Sequence, residues 1–297
     1  DDVAMFNPAG LARGFLLPLT PLARPASARE AAPMHWKAPN EDTCALAARV
    51  EEVCLNAWPA LQEIHYDGWL IRLADGKTRR TNSVNIVREG RLPVDEKIAY
   101  CERIYRHHGL DTHFRILSTG PRAIDAILEA RGYEAQDETS TLYMDFAAYA
   151  IAPVRGAVEL TKDTPSGEWL AAQAQISRQT QSETRKVEKI LQHLALPALF
   201  AAVRDENGIV RSVAKGAMHD GIVCLNLVAT DPAFRRRGYS QDCVASILAW
   251  AVGAGARGAC LQVVSANAPA IALYEKLGFD RELYRYHYRH RALSSGE

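Results

Sequence analysis

Residues Cys224 to Ser240, CLNLVATDPAFRRRGYS, constrain the fold more than any other stretch. Cys224 to Thr230 is an apolar run of strand length, Asp231-Pro232 ends it, and Arg235 to Ser240 opens a segment of helical character. A strand, a turn and a helix start follow one another within a few residues. The first amides of a helix have no partner inside it, so they point outward as donors that suit a phosphate, and Gly238 lets the backbone approach a ligand closely. Arg235, Arg236 and Arg237 add positive charge, although a basic triplet at a helix start equally fits a solvated turn.

Residues 259 to 279, ACLQVVSANAPAIALYEKLGF, read as a second buried strand, a polar loop at Ser265 to Asn267, a short helix from Pro269 and a Gly278 stop. Together the two stretches resemble the GCN5-related N-acetyltransferases (GNAT). Arg235-Arg236-Arg237-Gly238-Tyr239-Ser240 is similar to that superfamily's Arg/Gln-x-x-Gly-x-Gly/Ala pyrophosphate loop, with Ser240 in the last place. Asn267 to Phe279 is similar to its Asn-x-x-Ala-x-x-Leu-Tyr-x-x-x-Gly-Phe segment. The resemblance implies an α/β (α+β) fold with a mixed central sheet flanked by helices, and acetyl-CoA as cosubstrate.

At 297 residues and nearly half apolar, the chain is long enough for two domains and buries sizeable cores. Lysine plus arginine equals aspartate plus glutamate, which argues against a nucleic-acid partner bound through bulk charge. Cys44, Cys54, Cys101, Cys224, Cys243 and Cys260 show no metal-ligand spacing, so no metal is expected. They read as buried free thiols of a reducing, cytoplasmic setting. Residues 1–33 are rich in Ala, Pro and Leu, with prolines at 8, 18, 21, 25 and 33 interrupting any regular element. They read as a flexible leader, an artificial remnant, or translated sequence upstream of a natural start at Met34. No apolar stretch reaches the roughly 18 residues of a membrane span.

Glu41 to Ala57 carries apolar residues at helical spacing, closed by Trp58-Pro59. Gly68 to Leu73 and Thr78 to Val87 flank Ala74-Asp75-Gly76-Lys77, which predicts a hairpin. In such a strand Arg80, Asn82 and Val84 alternate with Arg79, Thr81, Ser83 and Asn85, as one solvated face or as one wall of a substrate cleft. A helix over Pro93 to His108, a strand over Thr112 to Leu117, a helix over Pro121 to Arg131 and a strand over Ser140 to Phe146 follow. Residues 126–133, then 139–145, parallel residues 272–279, then 283–289, in register at Gly132 and Gly278. The first half is therefore expected to be a degenerate copy in a tandem GNAT-like arrangement, with Leu128 where the second copy has Tyr274. The expected organisation is 34–146 as the degenerate domain, 147–156 as linker and 157–291 as the catalytic domain, the second alone holding a complete acetyl-CoA site. Gly68-Trp69 and Arg80-x-Asn82-Ser83-Val84 are also similar to a bacterial subgroup of two-part acetyltransferases.

In the second half the sequence predicts strands over 158–161, 199–204, 209–219 and 221–230, one or two helices between 167 and 193, and a turn at Asn207-Gly208. A helix from Arg237 to about Gly255, a strand over 260–264, the Tyr274 helix and a last strand through Tyr288 complete it. The resemblance implies roles for particular residues. Main-chain groups of Val228 and Thr230, on a bulged fourth strand, would hold the acetyl and pantetheine portion. Amides of Arg236 to Gln241 would cradle the pyrophosphate, Asn267 would hold the pantetheine arm, and Tyr274 would protonate the departing thiolate. Taken alone, Tyr274 equally fits a core aromatic.

Relatives that use a carboxylate base place Glu where this chain has Cys224 or Gln262. The amine would then lose its proton through ordered water oriented by Gln262, Asn226 or His219, or arrive partly neutral. The missing Glu also weakens assignment to the ribosomal-protein-acetylating branch. The expectation is an N-acetyltransferase acting on the primary amine of a small metabolite, with a protein or peptide acetyltransferase and a non-catalytic acyl-CoA-binding regulator as alternatives.

Overall fold

The computed structural model describes residues 41–74 and 78–293. The expected leader, 1–33, and most of the expected 74–77 turn lie outside them. Helix α1, Glu41–Ala57, comes first, then strands β1 (Gln62–Tyr66), β2 (Trp69–Leu73) and β3 (Val84–Ile86). Helix α2 (Val94–His107), β4 (Thr112–Leu117), α3 (Arg122–Ala130) and β5 (Glu134–Asp145) complete the first half. The second half runs β6 (Glu159–Lys162), α4 (Gly167–Ile176), α5 (Gln181–Gln192), β7 (Ala198–Arg204), β8 (Val210–His219) and β9 (Ile222–Thr230). It ends with α6 (Tyr239–Gly253), β10 (Gly258–Val264), α7 (Ala268–Lys276) and β11 (Arg281–Arg291).

The eleven strands form one mixed sheet, in the order β1-β2-β3-β4-β11-β5-β10-β9-β8-β7-β6. The two halves have the same pattern, because β3 runs parallel to β4 as β9 runs parallel to β10. Their last strands are exchanged. Strand β11 lies between β4 and β5, and β5 pairs antiparallel with both β10 and β11. Helix α1 also crosses over, packing on β8 to β11.

Alternation along the strands divides the core. On one face Val213, Cys224, Cys260 and Tyr284 pack under α1, α4 and α5. On the other, Val223, Leu225, Leu261 and Val263 pack against α6 and α7. Trp69, Ile71 and Phe114 do the same for α2 and α3. The five cysteines other than Cys44 are buried; Cys44 is exposed, because it falls on the outer side of α1.

One expectation about the first half changes. Thr78 to Val87 is not a continuous strand, since Arg79–Thr81 is a 3-10 turn and only Val84–Ile86 is extended. The cause is Asn82, whose side-chain oxygen accepts from the Ala74 amide at 2.8 Å while its amide group reaches the Thr78 carbonyl at 3.2 Å, folding the backbone locally. The expected pairing of Gly68–Leu73 with Thr78–Val87 is present as β2 against β3, antiparallel from Trp69 opposite Ile86 to Ile71 opposite Val84, and a further tight hairpin turns on Asp67-Gly68, both in the left-handed region (φ 42° and 86°), with Tyr66 opposite Trp69.

Candidate active site

The parallel pair β9 and β10 is in register from Ile222 opposite Gly258 to Leu225 opposite Leu261 and then parts. Beyond that point β9 bulges. Lys215 faces Asn226 while Val213 faces Ala229, so β9 spends one residue more than β8, and Leu227 takes φ 52°. Val228 lies in the bulge. Thr230 is back in the ladder opposite Ser212, with the two hydroxyl oxygens 2.8 Å apart.

The loop after β9 begins with a 3-10 turn, Pro232–Phe234, capped by Asp231, whose carboxylate accepts from the Ala233 amide at 3.0 Å and pairs with Arg211 at 2.8 Å. The Arg211 and Arg237 guanidinium groups lie over the Phe234 ring, 4.1 Å and 4.7 Å from its centre. Arg236 (φ 61°) and Gly238 (φ 85°) then turn the chain, so α6 begins at Tyr239, two residues later than the sequence predicts. The reason is that Gly238 is the cap and not the first turn. Arg235, Arg236 and Arg237 are exposed, and Tyr239, Ser240 and Gln241 are half-buried on the first turn of α6.

A fourth arginine joins this loop. Arg155, between the halves, holds its guanidinium so close to Gly238 that a Cβ there would lie 1.7 Å from Nη2. It also donates to Gln241 Oε1 at 3.3 Å and to Asp242 Oδ1 at 3.4 Å. No motif contains it, and Gly156 beside it reads as linker.

Asn267 caps α7, its side-chain oxygen accepting from the Ala270 amide at 3.3 Å. Tyr274, about two turns further on, is 8% exposed and meets Phe279 edge to face, with ring centres 5.9 Å apart. Burial pushes its hydroxyl up to about 12, so it is a protonated donor at neutral pH.

Tyr274 packs on the face of Leu261 and Val263; Gln262 points the other way. On that other face a polar row crosses the split: Lys215 opposite Asn226, then Gln262 opposite Thr141, then Thr141 opposite Tyr284. Asn226 Oδ1, Gln262 Nε2 and Thr141 Oγ1 are buried without partners, while Gln262 Oε1 accepts from the Tyr286 hydroxyl at 3.3 Å.

Lys215 was missed by sequence reasoning, because a lysine within a strand reads as solvated. It is fully buried, donates to the Ala57 carbonyl at 2.6 Å and lies 5.3 Å from the centre of the Trp58 ring; burial lowers its pKa to about 7. His219 is not brought to this row. It sits at the β8-β9 turn beside Asn56, 3.3 Å away. Four strand residues, roughly 13 Å, separate that turn from Asn226. One row back, the thiols of Cys54, Cys224 and Cys260 gather within 4.8 Å of one another, a cluster that three distant sequence positions could not announce.

The corresponding loop of the first half is closed on itself. The amides of Arg91 and Leu92, ahead of α2, donate to Asp67 Oδ2 at 2.8 Å, and Lys97 Nζ lies 3.3 Å from the same oxygen. Those amide bonds hold the Asp67 carboxyl below its ordinary range. A carboxylate of this chain thus occupies the donors that a phosphate would use. Leu128, the counterpart of Tyr274, is buried in the apolar core.

Comparison with known proteins bears on the family and the fold. A family model described as probable histone acetyltransferase Rv0428c C-terminal matches residues 46–291. The chain is 24% identical over 251 residues to the uncharacterized N-acetyltransferase YobR of Bacillus subtilis, covering 81% of this chain and 97% of that protein. Among solved structures, a GCN5-related N-acetyltransferase from Kribbella flavida superposes with TM-score 0.61 at 16% identity, over 85% of this chain and 96% of that one. A tandem GNAT protein from the clavulanic acid biosynthesis pathway gives TM-score 0.57 at 13% identity, over 72% and 76%. The fold is that of the GNAT superfamily. No helix among the described residues is long and apolar enough to cross a membrane.

Proposed function

The chain belongs to the Rv0428c C-terminal acetyltransferase family, and on that premise we propose that it moves an acetyl group from acetyl-CoA to the primary amine of a small metabolite. It is an N-acetyltransferase of GNAT type; the acceptor and the residue roles are our reading. The observation that carries this reading is the split beyond Leu225 and Leu261, with Tyr274 on one face of the sheet and Gln262 and Asn226 on the other.

A thioester lying in the split would present its sulfur to Tyr274 and its carbonyl carbon to the opposite face. Main-chain groups of Val228 and Thr230 would hold the acetyl and pantetheine portion. Amides of residues 236–241, with Arg235, Arg236, Arg237 and Arg155, would take the pyrophosphate. Asn267 would meet the pantetheine arm. The amine would attack from the side of Gln262 and Asn226, whose unpartnered atoms can orient a water that receives its proton. Lys215, neutral in part near pH 7, stands beside Asn226 as the group able to keep that proton. Tyr274 would protonate the leaving thiolate.

The first half would bind no cofactor, since Asp67 fills its anion site. A peptide or protein acceptor is the second reading, favoured by the description of the family. Against it, the acceptor face is covered by α1, which packs on β8 to β11. The even charge balance supports no nucleic-acid partner. Thiol release from acetyl-CoA over a panel of small amines and N-terminal peptides, with calorimetric titration of coenzyme A, tests the reading. Coenzyme A binding with turnover of small amines is expected. Absence of coenzyme A affinity ends it, and turnover of peptides alone transfers it to the second reading.

A further inference from the structure

Three thiols meet under α1 just where the two parallel strands are about to part. Cys224 of β9 and Cys260 of β10 stand opposite each other in the ladder, one residue before the last matched pair, Leu225 and Leu261. Cys54, near the end of α1, comes down on them from the helix. Its sulfur lies 3.9 Å from that of Cys260 and 3.9 Å from that of Cys224, and all three lie within 4.8 Å of one another. Cys54, Cys224 and Cys260 are 6%, 1% and 0% exposed, so solvent does not share the space between them.

Two buried thiols at this distance are ordinary apolar contact. A closed triangle drawn from three separate elements is more specific. Sulfurs bound at about 2.3 Å to one shared ion stand about 4.0 Å apart when the ion lies in their plane, and about 3.8 Å apart in a tetrahedron. Both edges that meet at Cys54, at 3.9 Å, fall between these values. Among the described residues no fourth His, Cys, Asp or Glu comes within the same reach. An all-sulfur donor set selects soft ions and leaves out the oxygen-seeking Mg²⁺ and Ca²⁺.

We propose that Cys54, Cys224 and Cys260 bind one thiophilic metal ion, Zn(II) or Cu(I), as three thiolates. Binding forms three sulfur–metal bonds in place of three S–H bonds, releases the thiol protons to solvent and changes no oxidation state. The ion joins α1 to β9 and β10 one row before these strands separate, and so fixes the helix that covers the acceptor face. It touches no reacting atom of the thioester, and it is independent of the transferase reading.

Because the core is closed, the test unfolds the full chain with reductant and chelator and refolds it without oxygen in Zn(II) or in Cu(I). One ion per chain should remain after gel filtration, and X-ray absorption should show three sulfur neighbours at about 2.3 Å. At a hundredfold excess over Kd the loaded chain should melt at least roughly 5 °C above the ion-free chain. The same count on protein purified from cells supplied with each ion, and never unfolded, covers a chain that refolds poorly. Retention of one ion and not the other names the metal.

Cys54→Ser, Cys224→Ser and Cys260→Ser should each weaken binding at least about 100-fold. Cys44→Ser, on the outer side of α1, and Cys101→Ala, in the core of the first half, should bind like the parent. A parent that retains neither ion by either route, fewer than three sulfur neighbours, or retention untouched by Cys54→Ser overturns the proposal. The sulfur count is made on the parent, so it decides the matter even if the strand variants fail to fold.

Discussion

The hydroxyl of Tyr284, on the last strand, donates to Glu51 Oε2 on the first helix at 2.6 Å, and that oxygen also accepts from Arg115 Nη2 at 3.0 Å. One carboxylate thus ties α1 to two strands that come from different halves of the chain. Removing it strands a guanidinium that has no other carboxylate among the described residues. Glu51→Ala should cost about 3–5 kcal/mol, the usual penalty for breaking a buried pair from one side. The double variant Glu51→Leu, Arg115→Met should recover most of that loss. Urea unfolding of the variants checks both.

Lys215 makes stability depend on pH. In the unfolded chain it titrates near 10.5, and in the fold near about 7. Between those values the unfolded chain holds more protons, so stability rises with pH across this window. Below it the full cost of a buried charge is present, roughly 5 kcal/mol at about 1.36 kcal/mol per pH unit. Lys215→Met should therefore be more stable than the parent at about pH 6, with the advantage shrinking toward about pH 10. Denaturant midpoints across pH read the difference; a pH-independent gap would show that Lys215 is not what titrates.

Tyr274→Phe keeps the ring that packs on Phe279 and removes only the hydroxyl. A lost general acid lowers kcat on the order of 100-fold, with the KM for acetyl-CoA and the melting temperature little changed. Since burial holds the hydroxyl near about 12, the parent should show no alkaline loss of activity from this group up to about pH 10. Steady-state rates against pH for both proteins test this.

Gly238→Ala meets two obstacles. The φ of 85° costs a Cβ-bearing residue about 1–2 kcal/mol, and the Arg155 guanidinium must move. The second is the lesser cost, since the tip of a long side chain can swing away. A loss of coenzyme A affinity larger than the loss of stability is the expected result, from paired calorimetry and thermal melts.

Local pattern made most elements legible. The helix over Glu41–Ala57, the strand over Thr112–Leu117 and the turn at Gly208 follow from spacing and glycine. Resemblance brought out the loop around Gly238 and the helix of Tyr274. What stayed hidden depends on distant packing. Lys215 sits on a strand whose burial comes from α1, more than 150 residues earlier, and Arg155 acts from a segment with no motif. The alternation around Arg80 predicts a strand, whereas the residue lies in a 3-10 turn that Asn82 imposes through contacts to Ala74 and Thr78. The exchange of β5 and β11 is a matter of which strand pairs with which, and neither strand's own sequence records its partner.

That exchange has a consequence for handling the molecule. A protease cutting the exposed stretch around Val154 and Arg155 would release nothing, because each fragment keeps a strand clasped inside the other. Expressed alone, either piece would present raw hydrogen-bonding edges where its borrowed strand belongs. The first half therefore supplies the strand β5 that flanks β10, and a second half expressed without it is expected to lack that neighbour.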